Sequence, residues 1–163
     1  MVLGVLMAMT LTSPSFKSGG EIPPRHTCQG QDMSPALAWS DVPAGTKTLA
    51  LVVDDPDAPD PAAPKTIFVH WVVYNIPATA GGLPEGSTGA LPEGSRLGKN
   101  DFGHSAWNGP CPPVGRHRYF FTLYALDTSL PHDFVTTKAD LEKAMRGHVL
   151  GSVQLMGTYA KTR

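Results

Sequence analysis

Four apolar runs constrain this chain more than any other feature. They are TLALVVD (48–54), IFVHWVVYN (67–75), RYFFTLYAL (118–126) and SVQLMGTYA (152–160). Each has strand length and is rich in β-branched and aromatic residues. The runs are nearly continuous rather than alternating, so each strand should be covered on both faces, as in the middle of a sandwich. AMTLTS (8–13) and ALAW (36–39) are weaker strand candidates. The chain has 17 Gly and 16 Pro, about a fifth of its 163 residues and nearly all outside the runs, against an average near 12%. Spread in this way, they predict shaped loops on an all-β scaffold.

One helix is expected, at about 138–147. Thr137 offers an N-cap with Asp140 three residues on, a capping-box-like start. Ala139, Leu141, Ala144 and Met145 follow at helical spacing, and Gly147 suits an exit. The length fits one domain, read as residues 8–161 behind an extra N-terminal tail, 1–7. The apolar N-terminal stretch is too short to span a bilayer. It has no basic n-region or A-x-A site, so no stable membrane insertion is expected and the protein is placed in the cytoplasm. The net charge of −1 gives no bulk attraction for nucleic acid. Cys28 and Cys111 lack zinc spacing. They allow one disulfide, which a cytosol would usually keep reduced, and the sequence leaves that pairing open.

The chemistry gathers in two stretches. In DDPDAPDPAAPKTIFVHWVV (54–73), acids and prolines run straight into an apolar strand that carries a lone imidazole. Along the strand from 48, Asp55 continues the Leu49–Leu51–Val53 face. Pro56 pushes it to an extended conformation, and the prolines hold Asp57. His70 should share a face with Phe68, Val72 and Tyr74. Asp54 and Asp60 are expected only to solvate the turn. The second stretch, GKNDFGHSAWNGPCPPVGRH (98–117), is long enough to be functional or disordered. Phe102, Trp107 and the prolines favour an ordered loop. His117 sits at its join to the next strand, with Tyr119 on the same face. Arg118 points away, toward a structural ion pair, and His104 is a rim candidate. No G-x-S-x-G, H-E-x-x-H, P-loop or G-x-G-x-x-G motif is present, so no catalytic residue and no cofactor is assigned.

DPDAP (55–59), HWVVYN (70–75) and GPCPPVGRHRYFF (109–121), in this order and spacing, resemble the phosphatidylethanolamine-binding protein family, which includes the Raf kinase inhibitor proteins. The likeness is to its bacterial and archaeal branch and covers about residues 8–161. It implies a β-sandwich with a small anion-binding pocket at one end. Carried over, the ligand-binding residues are Asp55, Asp57, His70, His117, Tyr119 and the loop with Gly109, Pro110 and Pro112. The family pattern also makes Pro59 the candidate cis proline. In this reading the aspartates accept hydrogen bonds from the imidazoles. The imidazoles, the Tyr119 hydroxyl and the loop N–H groups then face the anion. The resemblance implies a binding or regulatory protein for a small anionic or phosphorylated ligand, with a kinase or protease as protein partner. A homodimer is compatible with related bacterial proteins. The alternative is a small-molecule hydrolase, either metal-free or with a metal on Asp55, Asp57, His70 and His117.

Overall fold

The computed structural model describes residues 8–162, so the expected tail 1–7 lies outside the described residues. In chain order the elements are β1 (Thr10–Thr12), β2 (Leu37–Ser40), β3 (Thr48–Ala58), β4 (Thr66–Pro77), β5 (Gly82–Leu83), β6 (Arg96–Leu97), β7 (His117–Leu126), α1 (Lys138–Met145) and β8 (Val149–Tyr159). The four strong runs are β3, β4, β7 and β8, and the two weaker candidates are β1 and β2. The strands form two antiparallel sheets, β1-β2-β5 and β6-β4-β3-β7-β8. This is the expected all-β sandwich.

Two cores explain the continuous apolar runs. Between the sheets, Leu11, Leu37, Trp39 and Leu83 meet Leu49, Leu51, Val53, Trp71, Val73, Phe121 and Leu123. On the far side of the large sheet, Ala50, Val52, Val69, Val72, Tyr74 and Leu126 meet Leu130, Val135, Leu141 and Met145. Leu141 and Met145 come from α1, one turn apart, so the helix is the lid of the second core. Its start is the predicted capping box: Asp140 N donates to Thr137 Oγ1 at 3.2 Å and Thr137 N donates to Asp140 Oδ2 at 3.1 Å. It ends at Met145, two residues short of the expectation. Arg146 has left the helical region (ψ 127°) and Gly147 is left-handed (φ 79°), a conformation that suits glycine.

Strand β3 runs four residues past its expected end, through DPDA. Side chains replace the ladder bonds that Pro56 cannot make. Asp57 N donates to Asp55 Oδ1 at 2.7 Å, and Arg118 N on β7 donates to Asp57 Oδ2 at 2.9 Å. The Ala58–Pro59 bond is cis, as the resemblance implied. Asp54 does more than solvate a turn. It pairs with Lys138 Nζ at 2.8 Å and ties β3 to the first turn of α1.

Strand β4 departs from the expected alternation at the histidine. Val53 is opposite Trp71, but Asp54 is opposite Val69, so His70 is an extra residue without a partner on β3. This is a β-bulge, which re-aims side chains. It places His70 on the inter-sheet side with Trp71 and Val73. Val72 and Tyr74 lie on the other face, in the second core. The expectation that His70 shares a face with Val72 and Tyr74 is therefore corrected, while its pairing with Phe68 stands.

Candidate functional site

The bulge sets His70 beside the end of β3 and the start of β7. A cavity of about 320 Å³ opens there, lined by Asp55, Ala58, Pro59, Phe68, His70, Phe102, Cys111, Pro112, Pro113, His117 and Tyr119. Five of the eight residues expected at the site line it: Asp55, His70, Pro112, His117 and Tyr119. Asp57, Gly109 and Pro110 do not.

Each of those three has a supporting place instead. Asp57 serves no imidazole. Its carboxylate receives Arg118 Nε and Nη2, both at 2.9 Å, as well as the Arg118 backbone N–H. These hydrogen bonds hold the Asp57 carboxyl below the usual carboxylate range, and Arg118 makes the structural ion pair expected of it. Gly109 N donates to Asp32 Oδ1 at 2.9 Å. A Cβ at residue 109 would collide with the His26 carbonyl, so only glycine lets the two loops approach. Pro110 O accepts from Cys28 N at 3.1 Å. At this contact the chain is also covalently joined, by a Cys28–Cys111 disulfide with a Cα–Cα distance of 5.4 Å. The bridge leaves Cys111 no thiolate with which to attack.

The long loop is ordered by Asn100, which is buried. Its amide donates to Ala106 O at 2.9 Å and to Asn108 Oδ1 at 2.8 Å, while its oxygen accepts from Phe102 N and His104 N at 3.0 Å. Asp101 Oδ2 accepts from Val69 N at 2.8 Å, fastening the loop to β4. His104 does not line the cavity; its ring contacts Asn108 Oδ1 at 3.0 Å.

The two imidazoles play different parts. Both His117 nitrogens are occupied within the protein. Nδ1 faces Asp55 Oδ2 at 2.6 Å and Nε2 faces Val114 O at 2.9 Å, an arrangement that a ring with a proton on each nitrogen satisfies in full. His117 therefore holds Asp55 and the loop in place and has no free N–H for a ligand. His70 Nδ1 is 2.6 Å from Asn108 O. A carbonyl only accepts, so this nitrogen carries the proton, and the neutral ring shows a lone pair at Nε2. Among the described residues, Nε2 has no protein partner. Burial pushes the His70 pKa below its ordinary value, against the pull of the Asn108 carbonyl and of Asp55, Asp32 and Asp101. The Tyr119 hydroxyl has no hydrogen-bond partner among the described residues either. Burial first, then Asp55 and Asp57, push its pKa far upward, so it remains a donor.

The site is thus a cavity with apolar walls, one carboxylate, one acceptor nitrogen and one phenol donor. Among the described residues no Lys or Arg lines it. As a metal centre the proposed quartet is badly arranged, because Arg118 takes Asp57 and both nitrogens of His117 are used. Among the described residues no three His, Cys, Asp or Glu side chains converge to hold an ion. Several wall residues were not foreseen. Phe68 was readable, two residues from His70 on the same strand face. Behind the wall, Asn108 and Asp32 had no local signal, because their partners His70 and Gly109 are distant in sequence, and Asn100 acts within a loop that carries no periodic pattern.

Comparison with known proteins gives one answer. A sequence profile of the phosphatidylethanolamine-binding protein family matches residues 12–160. A UPF0098 protein of Methanothermobacter thermautotrophicus is 48% identical over 155 residues, spanning 94% of this chain and 99% of the relative. One from Chlamydia pneumoniae is 43% identical, spanning 94% and 100%. Among solved structures, a putative phosphatidylethanolamine-binding protein homologue from Chlamydia trachomatis, CT736, superposes with a TM-score of 0.87 at 42% identity, covering 95% of this chain and 99% of its own. YbcL of E. coli, described as a member of the mammalian PEBP family, gives 0.86 at 34% identity, covering 96% and 100%. On the strength of the profile match and these relatives, the chain belongs to the phosphatidylethanolamine-binding protein family.

Proposed function

We propose that this chain is a binding protein whose cavity takes one small oxyanion or phosphoryl head group. Tyr119 and His70 meet the ligand. Asp55 and His117 brace the floor, the loop at Cys111, Pro112 and Pro113 forms the wall, and Gly109 and Pro110 anchor that loop from behind. The observation that carries this reading is the pair of polar atoms His70 Nε2 and the Tyr119 hydroxyl, which belong to buried side chains, have no protein partner among the described residues and line the cavity. Tyr119 can donate to an oxyanion at once. His70 can do so only after a proton reaches Nε2, brought by a monoprotonated phosphate ester or taken from solvent. Binding of a ligand that arrives without a proton is therefore coupled to proton uptake from solvent.

Calorimetry with phosphoethanolamine at pH 6 and pH 8, in buffers of different ionisation heat, tests this. The expected result is one site, tighter at pH 6, with a proton taken up on binding. An affinity that is flat or rises toward pH 8 would overturn it.

A regulatory role toward a kinase or protease belongs to the same proposal. A phosphorylated side chain offers the same chemistry as a head group, and the exposed Phe102 and Val114 leave apolar surface beside the cavity for the rest of such a ligand. A cytoplasmic location belongs to it too; among the described residues no helix is long and apolar enough to cross a membrane. The disulfide makes that location testable. A reducing cytosol would hold Cys28 and Cys111 as thiols, so alkylation in unbroken cells should label both. Protection of both would place the chain in an oxidising compartment.

A further inference from the structure

A second cleft lies between β6, the start of the long loop and the segment before α1. It measures about 230 Å³ and is lined by Tyr74, Arg96, Leu97, Lys99, Ser105, His132, Val135 and Thr136. We propose that it is a second oxyanion site, built for a small tetrahedral anion carrying two charges, such as sulfate or a fully ionised phosphoryl group.

Strand pairing fixes the floor of this cleft. Tyr74 on β4 is directly opposite Arg96 on β6, and residues so paired present their side chains on one face. The buried Tyr74 hydroxyl donates to Val135 O at 3.0 Å. Gly98 N donates to Val72 O at 2.9 Å and Lys99 N to Thr136 O at 2.6 Å, so Lys99 starts from an anchored backbone. A Cβ at residue 98 would meet Val72 Cγ1 at 2.8 Å, so this close approach of loop to strand needs glycine.

Charge supplies the argument for an anion. Arg25, Arg116, Arg118 and Lys138 each have a carboxylate partner. Among the described residues Arg96 and Lys99 have none within 4.0 Å; other surface cations such as Lys17 and Lys47 are also unpaired, but these two line one cleft together, and no Asp or Glu lines it. Two carboxylates stand beside it: Asp133, exposed and taken by His132 Nε2 at 3.2 Å, and Asp140, whose Oδ2 accepts from the lining Thr136 Oγ1 at 2.6 Å. Two permanent cations therefore face one cleft with the Ser105 hydroxyl, which has no protein partner among the described residues. A planar guanidinium can grip two oxygens of a tetrahedral anion at once.

The test is a backbone-amide NMR titration of the full chain with sodium sulfate, the ionic strength held constant with sodium chloride. Sulfate could enter the first cavity only with a proton taken from solvent by His70, so the titration is run at pH 8, where that uptake is least favourable, and is read at amides of both cavities. Saturable shifts are expected at Leu97, Ser105 and Val135 and not at Asn108 or Tyr119. The double variant R96Q/K99Q should weaken binding at least about tenfold. The charge-matched control K17Q/K47Q, remote from the cleft, should leave it unchanged. A repeat with inorganic phosphate at pH 8 asks whether the phosphoryl dianion binds at the same amides. Shifts that never saturate, or equal weakening by both double variants, would overturn the proposal.

Discussion

The two cavities are neighbours on one loop and opposites in chemistry. Phe102 and Cys111 wall the first cavity, while Lys99 and Ser105 wall the second. The first holds a carboxylate and no Lys or Arg; the second holds Arg96 and Lys99 and no carboxylate. The first is built from buried groups fixed by hydrogen bonds, so it selects by where donors and acceptors stand. The second is built from exposed cations and selects by charge. An expectation of anion binding drawn from sequence motifs alone would not foresee that the permanent cations lie outside the motif-bearing cavity. In that cavity a protonatable imidazole has to supply the positive charge, so pH should govern it more than salt does. In the cleft the order should reverse, because exposed charges are the ones that salt screens.

The largest test of this contrast is covalent. Replacing both cysteines, C28S/C111S, removes a link spanning 83 residues and should cost about 4 kcal/mol in urea unfolding. It should also weaken ligand binding in the first cavity, whose wall it frees, and leave sulfate binding in the cleft intact. Equal loss at both would mean that the two regions are not independent. Next, His70→Ala should cost about 2 kcal/mol of affinity for phosphoethanolamine at pH 6, roughly thirtyfold in Kd. The variant should melt close to wild type if the bulged residue serves binding rather than the core.

Asp57→Ala should destabilise by about 1–2 kcal/mol, because the Arg118 backbone N–H loses its acceptor. Its effect on affinity should be small, since Asp57 does not line the cavity; a large effect would return Asp57 to the ligand. The smallest effect is one of pH. Acetate does not titrate between pH 8 and 6, so any tightening over that range reports the protein. His70, with its pKa lowered in the presence of Asp55, Asp32 and Asp101, must take up the proton, so acetate should bind several-fold tighter at pH 6. Without ligand the same linkage acts on folding. His26 and His70 both have lowered pKa values, chiefly through burial. The stability gained by keeping them neutral is present above about 6.5, their ordinary value, and is lost as pH falls below it. Melting temperature should therefore decline from pH 7 to pH 5, and saturating ligand should lessen the decline.

How much of this was legible in the sequence depends on the range over which each feature is encoded. The four long strands and the Thr137–Asp140 cap are local patterns, so they were readable, as was Asp55 as the end of an apolar strand face. The two-residue strands β5 and β6 carry no pattern of their own; they exist because β2 and β4 offer edges. The Asp57–Arg118 pair and the lone-pair face of His70 depend on register and on a carbonyl 38 residues away. Neither leaves a mark on neighbouring residues. The disulfide was undecided because two loops had to fold before Cys28 and Cys111 could meet.

The bulge in β4 has one more consequence. Asp54 pairs with Val69 and Val53 with Trp71, while Val69 belongs to one core and Trp71 to the other. Those two residues would alternate correctly with nothing between them. The site histidine is thus a supernumerary letter in this stretch of the strand. Deleting residue 70 would remove the shift between Val53 and Asp54 and leave the ladder regular from Leu51 to Asp55, so this sheet could gain or lose its binding chemistry by a single codon without a change of architecture.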